Sequence, residues 1–260
     1  ERRVGREHDK RRGARSQCVP RAAFHPMMNA VGGTTLHFFA QAWRLNPWDF
    51  KVASETTRRY GAARIPKGCT VEDWPFGFEE LEPYYDKVDY EVGVSGKAGN
   101  LKGKIDPRGN IFEGPRSREY PMPPLRLTEF TEHMFGAAKK LGWAPFPGAA
   151  LINSVPYGGR SACVYHGYCT RGGCHVSAKN GPHITTIPKA QETKRVYQVT
   201  RAHVTRIEID EKTGRATGAT YIKDGVEYFQ PADVVLLSSY TYENVRLLLM
   251  SKSKAFPNGL

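Results

Sequence analysis

Residues 196–250 read VYQVTRAHVTRIEIDEKTGRATGATYIKDGVEYFQPADVVLLSSYTYENVRLLLM, and this stretch decides the fold class. Val196–Asp210 is rich in β-branched residues, with Val204, Ile207 and Ile209 as its apolar members. Such runs favour the pleated backbone of a strand. Asp210-Glu211-Lys212-Thr213-Gly214 is a turn signal, Ala219–Ile222 a second strand, Asp224-Gly225 a hairpin signal and Val226–Phe229 a third strand. The spacing predicts a three-stranded antiparallel meander. Val234-Val235-Leu236-Leu237 is a continuous apolar run, the pattern of a strand buried on both faces in a parallel sheet. Tyr242–Met250 predicts a helix with Leu247–Met250 toward the core. The class is therefore α/β, or α+β in parts.

Working back from this stretch, the next landmark is Cys163-Val-Tyr-His-Gly-Tyr-Cys169-Thr-Arg-Gly-Gly-Cys174. Five cysteines are an odd number, and Cys18 and Cys69 stand apart from these three. Three neighbouring thiols cannot pair off completely, so the cluster points to a metal or redox site. Gly167, Gly172 and Gly173 would let the backbone bend so that the sulfurs converge. Three thiolates suit an iron–sulfur cluster, and His166 or His175 could complete a Cys₃His zinc site. Three buried free thiols are the plain alternative, and the spacing by itself does not choose.

Two helices are predicted upstream. Over 78–92, Leu81, Tyr84, Tyr85, Val88 and Val92 share one face, and Glu79, Glu80 and Glu82 sit near the favourable N-terminal end. Pro83 is tolerable only near the first turn, and Gly93 and Gly96 stop the helix. Over 128–141, Thr128 is the N-cap, Phe130, Met134, Ala137, Ala138 and Leu141 form a face, and Gly142 follows. Residues 94–125, rich in Gly, Pro and Arg, read as a long excursion over the surface.

The segment 24–50 is rich in Asn, Gly, Thr and aromatics around Gly32-Gly33-Thr34-Thr35. Successive amides and two hydroxyls there could hold a phosphate or the polar edge of a cofactor ring, with His37 as a ligand-facing donor or a structural histidine. Composition bounds the rest. The net charge is +12, and residues 1–25 carry eight Lys/Arg against three Asp/Glu. The excess is thus concentrated in a basic arm at 1–23, which lacks the interleaved aromatics that stack bases. No apolar run reaches the ~18 residues of a membrane span. No GxGxxG after a strand, no GxSxG and no Walker A loop occurs.

In this order, these segments resemble the glucose–methanol–choline (GMC) oxidoreductases, which are FAD-dependent. Met28-Asn29-Ala30-Val31-Gly32-Gly33-Thr34-Thr35-Leu36-His37 is similar to the family's Gly-Gly-Ser/Thr flavin-contact motif. Trp74-Pro75-Phe76, Leu81-Glu82-Pro83-Tyr84-Tyr85 and Val92-Gly93-Val94-Ser95-Gly96 resemble its L-x-P-Y-Y helix and the following turn. The meander, Val234–Ser239 and Arg246–Ser251 resemble its second signature. The likeness runs from about residue 24 to the end.

The resemblance implies oxidation of a CH–OH group on a small-molecule sugar, sugar acid or polyol, with FAD as cofactor. It implies Asn29, Gly32, Gly33, Thr34, Thr35 and His37 along the flavin, the Val204 backbone at adenine, and Ser238 and Ser239 near the pyrophosphate. The cysteine triplet narrows the likeness to the bacterial gluconate, fructose and glucose dehydrogenase large subunits. That implies Cys163, Cys169 and Cys174 as ligands of a three-iron (3Fe-4S) cluster, with a cytochrome or small subunit taking the electrons. It leans toward a periplasmic protein held at the membrane through a partner; the residues themselves assign no compartment.

The pyrophosphate-binding loop and the catalytic His pair of the family have no counterpart here, and Asn244-Val245 stands for the usual Thr-Pro. The chain reads as the middle of a longer protein, expected to hold FAD weakly and turn over nothing by itself. The expected organisation is a basic arm (1–23), a flavin-contact loop region (24–70), a substrate-domain-like part of helices and long loops with the cysteines (71–190), and a meander plus strand–helix of the FAD-binding domain (191–260). The rival reading is a Cys₃His zinc module with an RNA-contacting arm.

Overall fold

The computed structural model describes residues 28–167, 169 and 172–260. Cys18 and the basic arm lie outside the described residues. The chain divides into two units, one ending at Arg195 and one running from Val196 to Leu260. Helices and two small antiparallel sheets make the class mixed α/β.

In the first unit, 3₁₀ turns at Gly33–Leu36 and Pro47–Phe50 precede helix α1 (Val52–Tyr60), which the sequence reading took for loop. Helix α2 (Phe78–Val88) follows and ends in a π turn at Asp89–Gly93. The Gly77 amide donates to Glu80 Oε1 at its start. Its extent agrees with expectation, but its orientation does not. Tyr84 and Val88, placed on the core face by periodicity, are exposed, whereas Phe78, Glu82 and Asp89 are buried. Arg44 pairs with Glu82 at 3.1 Å and Asp89 at 2.6 Å, and the fully buried Arg116 pairs with Asp89 at 2.7 Å. Paired carboxylates outcompete the apolar stripe because a buried charge needs its partner; removing one costs roughly 3–5 kcal/mol. Pro83 also lies inside the helix, beyond its first turn, held there by these tertiary contacts.

The stretch 94–125 is not a surface excursion. Val94, Ser95, Ala98, Arg116 and Met122 are buried. Strands β1 (Asn100–Leu101) and β2 (Lys104–Ile105) pair antiparallel within it. Ser95 and Ala150 exchange backbone bonds of 2.8 and 2.9 Å, while Glu119 and Glu113 accept from the Ala98 and Gly99 amides at 2.6 and 2.7 Å. The loop can be interior because its backbone polar groups find partners. Helix α3 (Glu129–Lys140) is capped by Thr128 as expected. Its apolar face is not packed, however: Phe130 is 73% exposed, and Met134 and Leu141 are exposed too. Helix α4 (Thr186–Glu192) closes the unit.

The second unit holds the predicted meander as β3 (Ala202–Ile209), β4 (Ala216–Lys223) and β5 (Val226–Pro231), antiparallel in the order β3-β4-β5. Asp210 Oδ1 accepts from the Lys212 and Thr213 amides in the first turn. Asp224 and Gly225 both have positive φ in the second, as a two-residue hairpin requires. Helix α5 (Thr241–Met250) follows. Of its Leu247–Met250 run only Leu247 is buried, as is Ile207 of β3, whose amide donates to Ser251 Oγ at 2.9 Å. The expected buried strand Val234–Leu237 is irregular instead, with Val234 82% and Leu236 87% exposed. Among the described residues no strand pairs with it, and an unpaired backbone has no ladder to hold it as a strand.

Candidate functional site

The Gly32–Leu36 turn is bent by Gly32, whose φ is +93°. The Gly33 amide donates to Ala30 O at 2.8 Å and the His37 amide to Thr34 O at 3.1 Å. The Thr35 hydroxyl donates to the Gly32 carbonyl, so Thr35 holds the turn rather than facing outward. Asn29 and Thr34 are exposed, and His37 is half-buried. Open space surrounds the position a Cβ would take at Gly33.

Residues 178–183 back this turn, and sequence reading passed them over. A Cβ on Gly32 would stand 2.9 Å from His183 Cβ, and one on Gly181 2.7 Å from His183 Nδ1. Both distances are below contact, so the imidazole fits only because both neighbours are glycine. Burial, with the Lys179 charge second, holds His183 below its ordinary pKa. Lys179 donates to Phe38 O at 3.1 Å and Gly172 O at 2.5 Å, tying the end of the turn to the cysteine segment. Burial pushes the Lys179 pKa down, while the Cys174 and Cys169 sulfurs oppose it. Asn180 donates to Gly93 O and Asn153 Oδ1 and accepts from Arg160, anchoring this backing. Gly181-Pro182-His183 was the available signal: a histidine directly after a turn dipeptide.

Each of Cys163, Cys169 and Cys174 has a partner close by in sequence. Cys169 Sγ lies 3.1 Å from His166 Nδ1, and His166 Nε2 lies 2.9 Å from His175 Nδ1, the two rings stacking at 4.5 Å. Cys163 Sγ accepts from the Tyr165 amide and Cys174 Sγ from the Ala178 amide. Each sulfur is thus satisfied by a local partner. Among the described residues no three His, Cys, Asp or Glu side chains are grouped to hold a metal ion. This arrangement lends no support to a three-thiolate iron site or to a Cys₃His zinc site. Cys69 is exposed and free.

Val204, Ser238 and Ser239 belong to the second unit. Val204 pairs with Tyr221, next to a register irregularity between Val204 and Arg206. Ser238 and Ser239 are exposed, and the Ser239 amide donates to Asn244 Oδ1 at 2.8 Å. Among the described residues no helix is long and apolar enough to cross a membrane.

Fold and site define a mixed α/β protein with a glycine-bent turn backed by a buried lysine and a clamped histidine. No family model matches the chain. Several curated proteins do, three of which follow. The chain is 32% identical over 239 residues to "Gluconate 2-dehydrogenase flavoprotein" of Pantoea cypripedii, covering 88% of this chain and 39% of that protein. It is 33% identical over 239 residues to "2-methyl-1,2-propanediol dehydrogenase" of Mycolicibacterium austroafricanum (90% and 38%). It is 27% identical over 236 residues to "Fructose dehydrogenase large subunit" of Gluconobacter japonicus (90% and 39%). The chain therefore spans about two-fifths of the length of these relatives. Together the matches point to a GMC-type oxidoreductase.

Proposed function

We propose that this chain is part of a flavin-dependent oxidoreductase acting on CH–OH groups of a sugar, sugar acid or polyol. What carries the reading is the Gly32–Thr35 turn: its exposed Asn29 and Thr34, the open space at Gly33 and the stiff backing by Lys179 and His183 suit a planar ring laid against it. The relatives support it, since one is named a flavoprotein and the others dehydrogenases. When bound, FAD would supply the hydride acceptor for alcohol oxidation.

This chain's residues would hold that group. Asn29, Gly32, Gly33, Thr34 and His37 would line the ring, while Thr35 keeps the turn closed. The Val204 backbone would meet the adenine, and Ser238 and Ser239 would stand near the pyrophosphate. No catalytic acid or base is assigned to the described residues. No electron step is routed through Cys163, Cys169 and Cys174, since no grouping among the described residues supports a cluster there. A small subunit or cytochrome would take the electrons, in keeping with the "large subunit" in one relative's name. The zinc-module alternative is not favoured: its ligand set is not assembled, and the relatives are oxidoreductases.

The test is to purify the full-length gene product that carries this chain and record its visible spectrum. Flavin absorbance that bleaches anaerobically on adding a sugar or polyol is the expected result. A colourless protein that neither binds added FAD nor reduces a dye would refute the proposal.

A further inference from the structure

We propose that Lys179 is a positioning residue that couples the flavin-contact turn to the cysteine segment, so that ordering one orders the other. The inference rests on the flavin reading above and adds to it a link between two segments far apart in sequence. It starts from the frame that carries the lysine. Lys179 faces Ile152 in an antiparallel bridge, with the Asn153 amide donating to Ala178 O and the Asn180 amide to Leu151 O, both at 2.8 Å. The same 149–153 segment holds the chain that leaves the turn. The Leu151 amide donates to Ala40 O at 2.6 Å, and the Ala42 amide donates to Ala149 O at 3.0 Å. Ala40, Asn153, Ala178 and Asn180 are all buried, so this frame is part of the packed interior.

From this frame the side chain reaches both segments. Its ammonium donates to Phe38 O, where the chain leaves the turn, and to Gly172 O, between Cys169 and Cys174. The two segments also meet directly: a Cβ on Gly173 would stand 4.0 Å from Leu36 O, an ordinary contact. Lys179 therefore pins a seam whose two sides already touch. The turn's own bonds are internal, from the Gly33 and His37 amides and the Thr35 hydroxyl. They set its shape; the Phe38 and Ala40 carbonyls set its place, and the first of these is held by Lys179. The residue is buried, and these acceptors are carbonyls rather than a carboxylate. Burial pushes its pKa down, while the Cys174 and Cys169 sulfurs oppose this. Each carbonyl thus bears part of the cost of keeping a charge out of water. Losing one favours a swing of the ammonium to solvent, which releases the other, and that is the coupling.

The experiment uses the full-length protein, comparing wild type, Lys179→Met and Lys179→Arg with and without added FAD. Three readouts are taken: amide hydrogen exchange by mass spectrometry, FAD affinity by fluorescence quenching, and the melting temperature of the apoprotein. In wild type, FAD should slow exchange at Thr34–Phe38 and, through the lysine, at Gly172–Ser177, the latter by at least about fivefold. In Lys179→Met the slowing at Gly172–Ser177 should vanish, and FAD should bind at least about fivefold more weakly. Lys179→Arg, which keeps a charged donor, should recover part of both. Should Lys179→Met not fold, the wild-type comparison and Lys179→Gln carry the test. Wild-type slowing confined to the turn would overturn the inference while leaving the flavin reading intact. So would a Lys179→Met protein that keeps the wild-type slowing at Gly172–Ser177. Equal losses in Met and Arg, spread over the chain and tracking a lower melting temperature, would make the lysine merely structural. A wild-type protein that binds no FAD would sink both readings.

Discussion

Two polar clusters in the first unit invite comparison. Around α2, Arg44, Glu82, Asp89 and Arg116 are nearly sealed from solvent, and each charge faces an opposite one. Around residues 166–183, Lys179 is buried and held by carbonyls, His183, Cys169 and His166 are only partly buried, His175, stacked on His166, is exposed, and His183 Nδ1 has no partner. The first cluster neutralises its own charges and does the work of a core, although Arg44 Nε and Arg116 Nη1 have no hydrogen-bond partner. The second is incomplete, as befits a surface where something else binds. The lesson is that neither buried charge nor an unpartnered polar atom marks function by itself; what sets the second cluster apart is its partial exposure beside the Gly32–Leu36 turn.

The comparison breaks first at Asp89. Asp89→Ala strips two arginines of a shared partner in a sealed site, and we expect a loss of roughly 3–5 kcal/mol by denaturant unfolding. A loss below about 1 kcal/mol would mean the cluster is not closed as described.

Lys179→Met comes next. It removes a charged donor to two carbonyls, worth about 1.5–3 kcal/mol. We expect it to loosen the Gly32–Leu36 turn from the cysteine segment, read as faster amide exchange at His37 and Phe38. Unchanged exchange there would detach the turn from its backing.

A smaller effect is pH-dependent and belongs to the open cluster. The folded-state pKa of His183 lies below its ordinary value of 6.5. The unfolded chain therefore binds the extra proton first as pH falls. The stability due to this group is present above the ordinary value and is lost progressively as pH drops through the lowered folded value. Wild type should melt earlier at pH 5.5 than at pH 7.5 by more than His183→Gln does, and an equal difference in both proteins would remove His183 from the account. The smallest effect is on α3: Met134→Gln on its exposed face should change stability by no more than about 0.5 kcal/mol.

Much of the local structure was legible along the chain. The Thr128 cap, the Asp210 turn and the Asp224-Gly225 hairpin are written in residues that satisfy nearby backbone or accept positive φ, so neighbours alone decide them. The extent of α2 and the three strands of the meander follow the same logic, and the Gly32-Gly33-Thr34-Thr35 motif could be recognised before its setting was known. Tertiary structure decided the rest, because the deciding partners are far away in sequence. Arg44 and Arg116 turn α2 onto its carboxylates, against its own apolar periodicity. Ser95 and Ala150 bring the stretch after Gly93 inside. Val234–Leu237 has strand composition but, among the described residues, no neighbouring strand, so composition alone cannot make it one. Lys179 and His183 become site residues only when the chain folds back on Phe38 and Gly32, a contact across some 140 residues that no local pattern records.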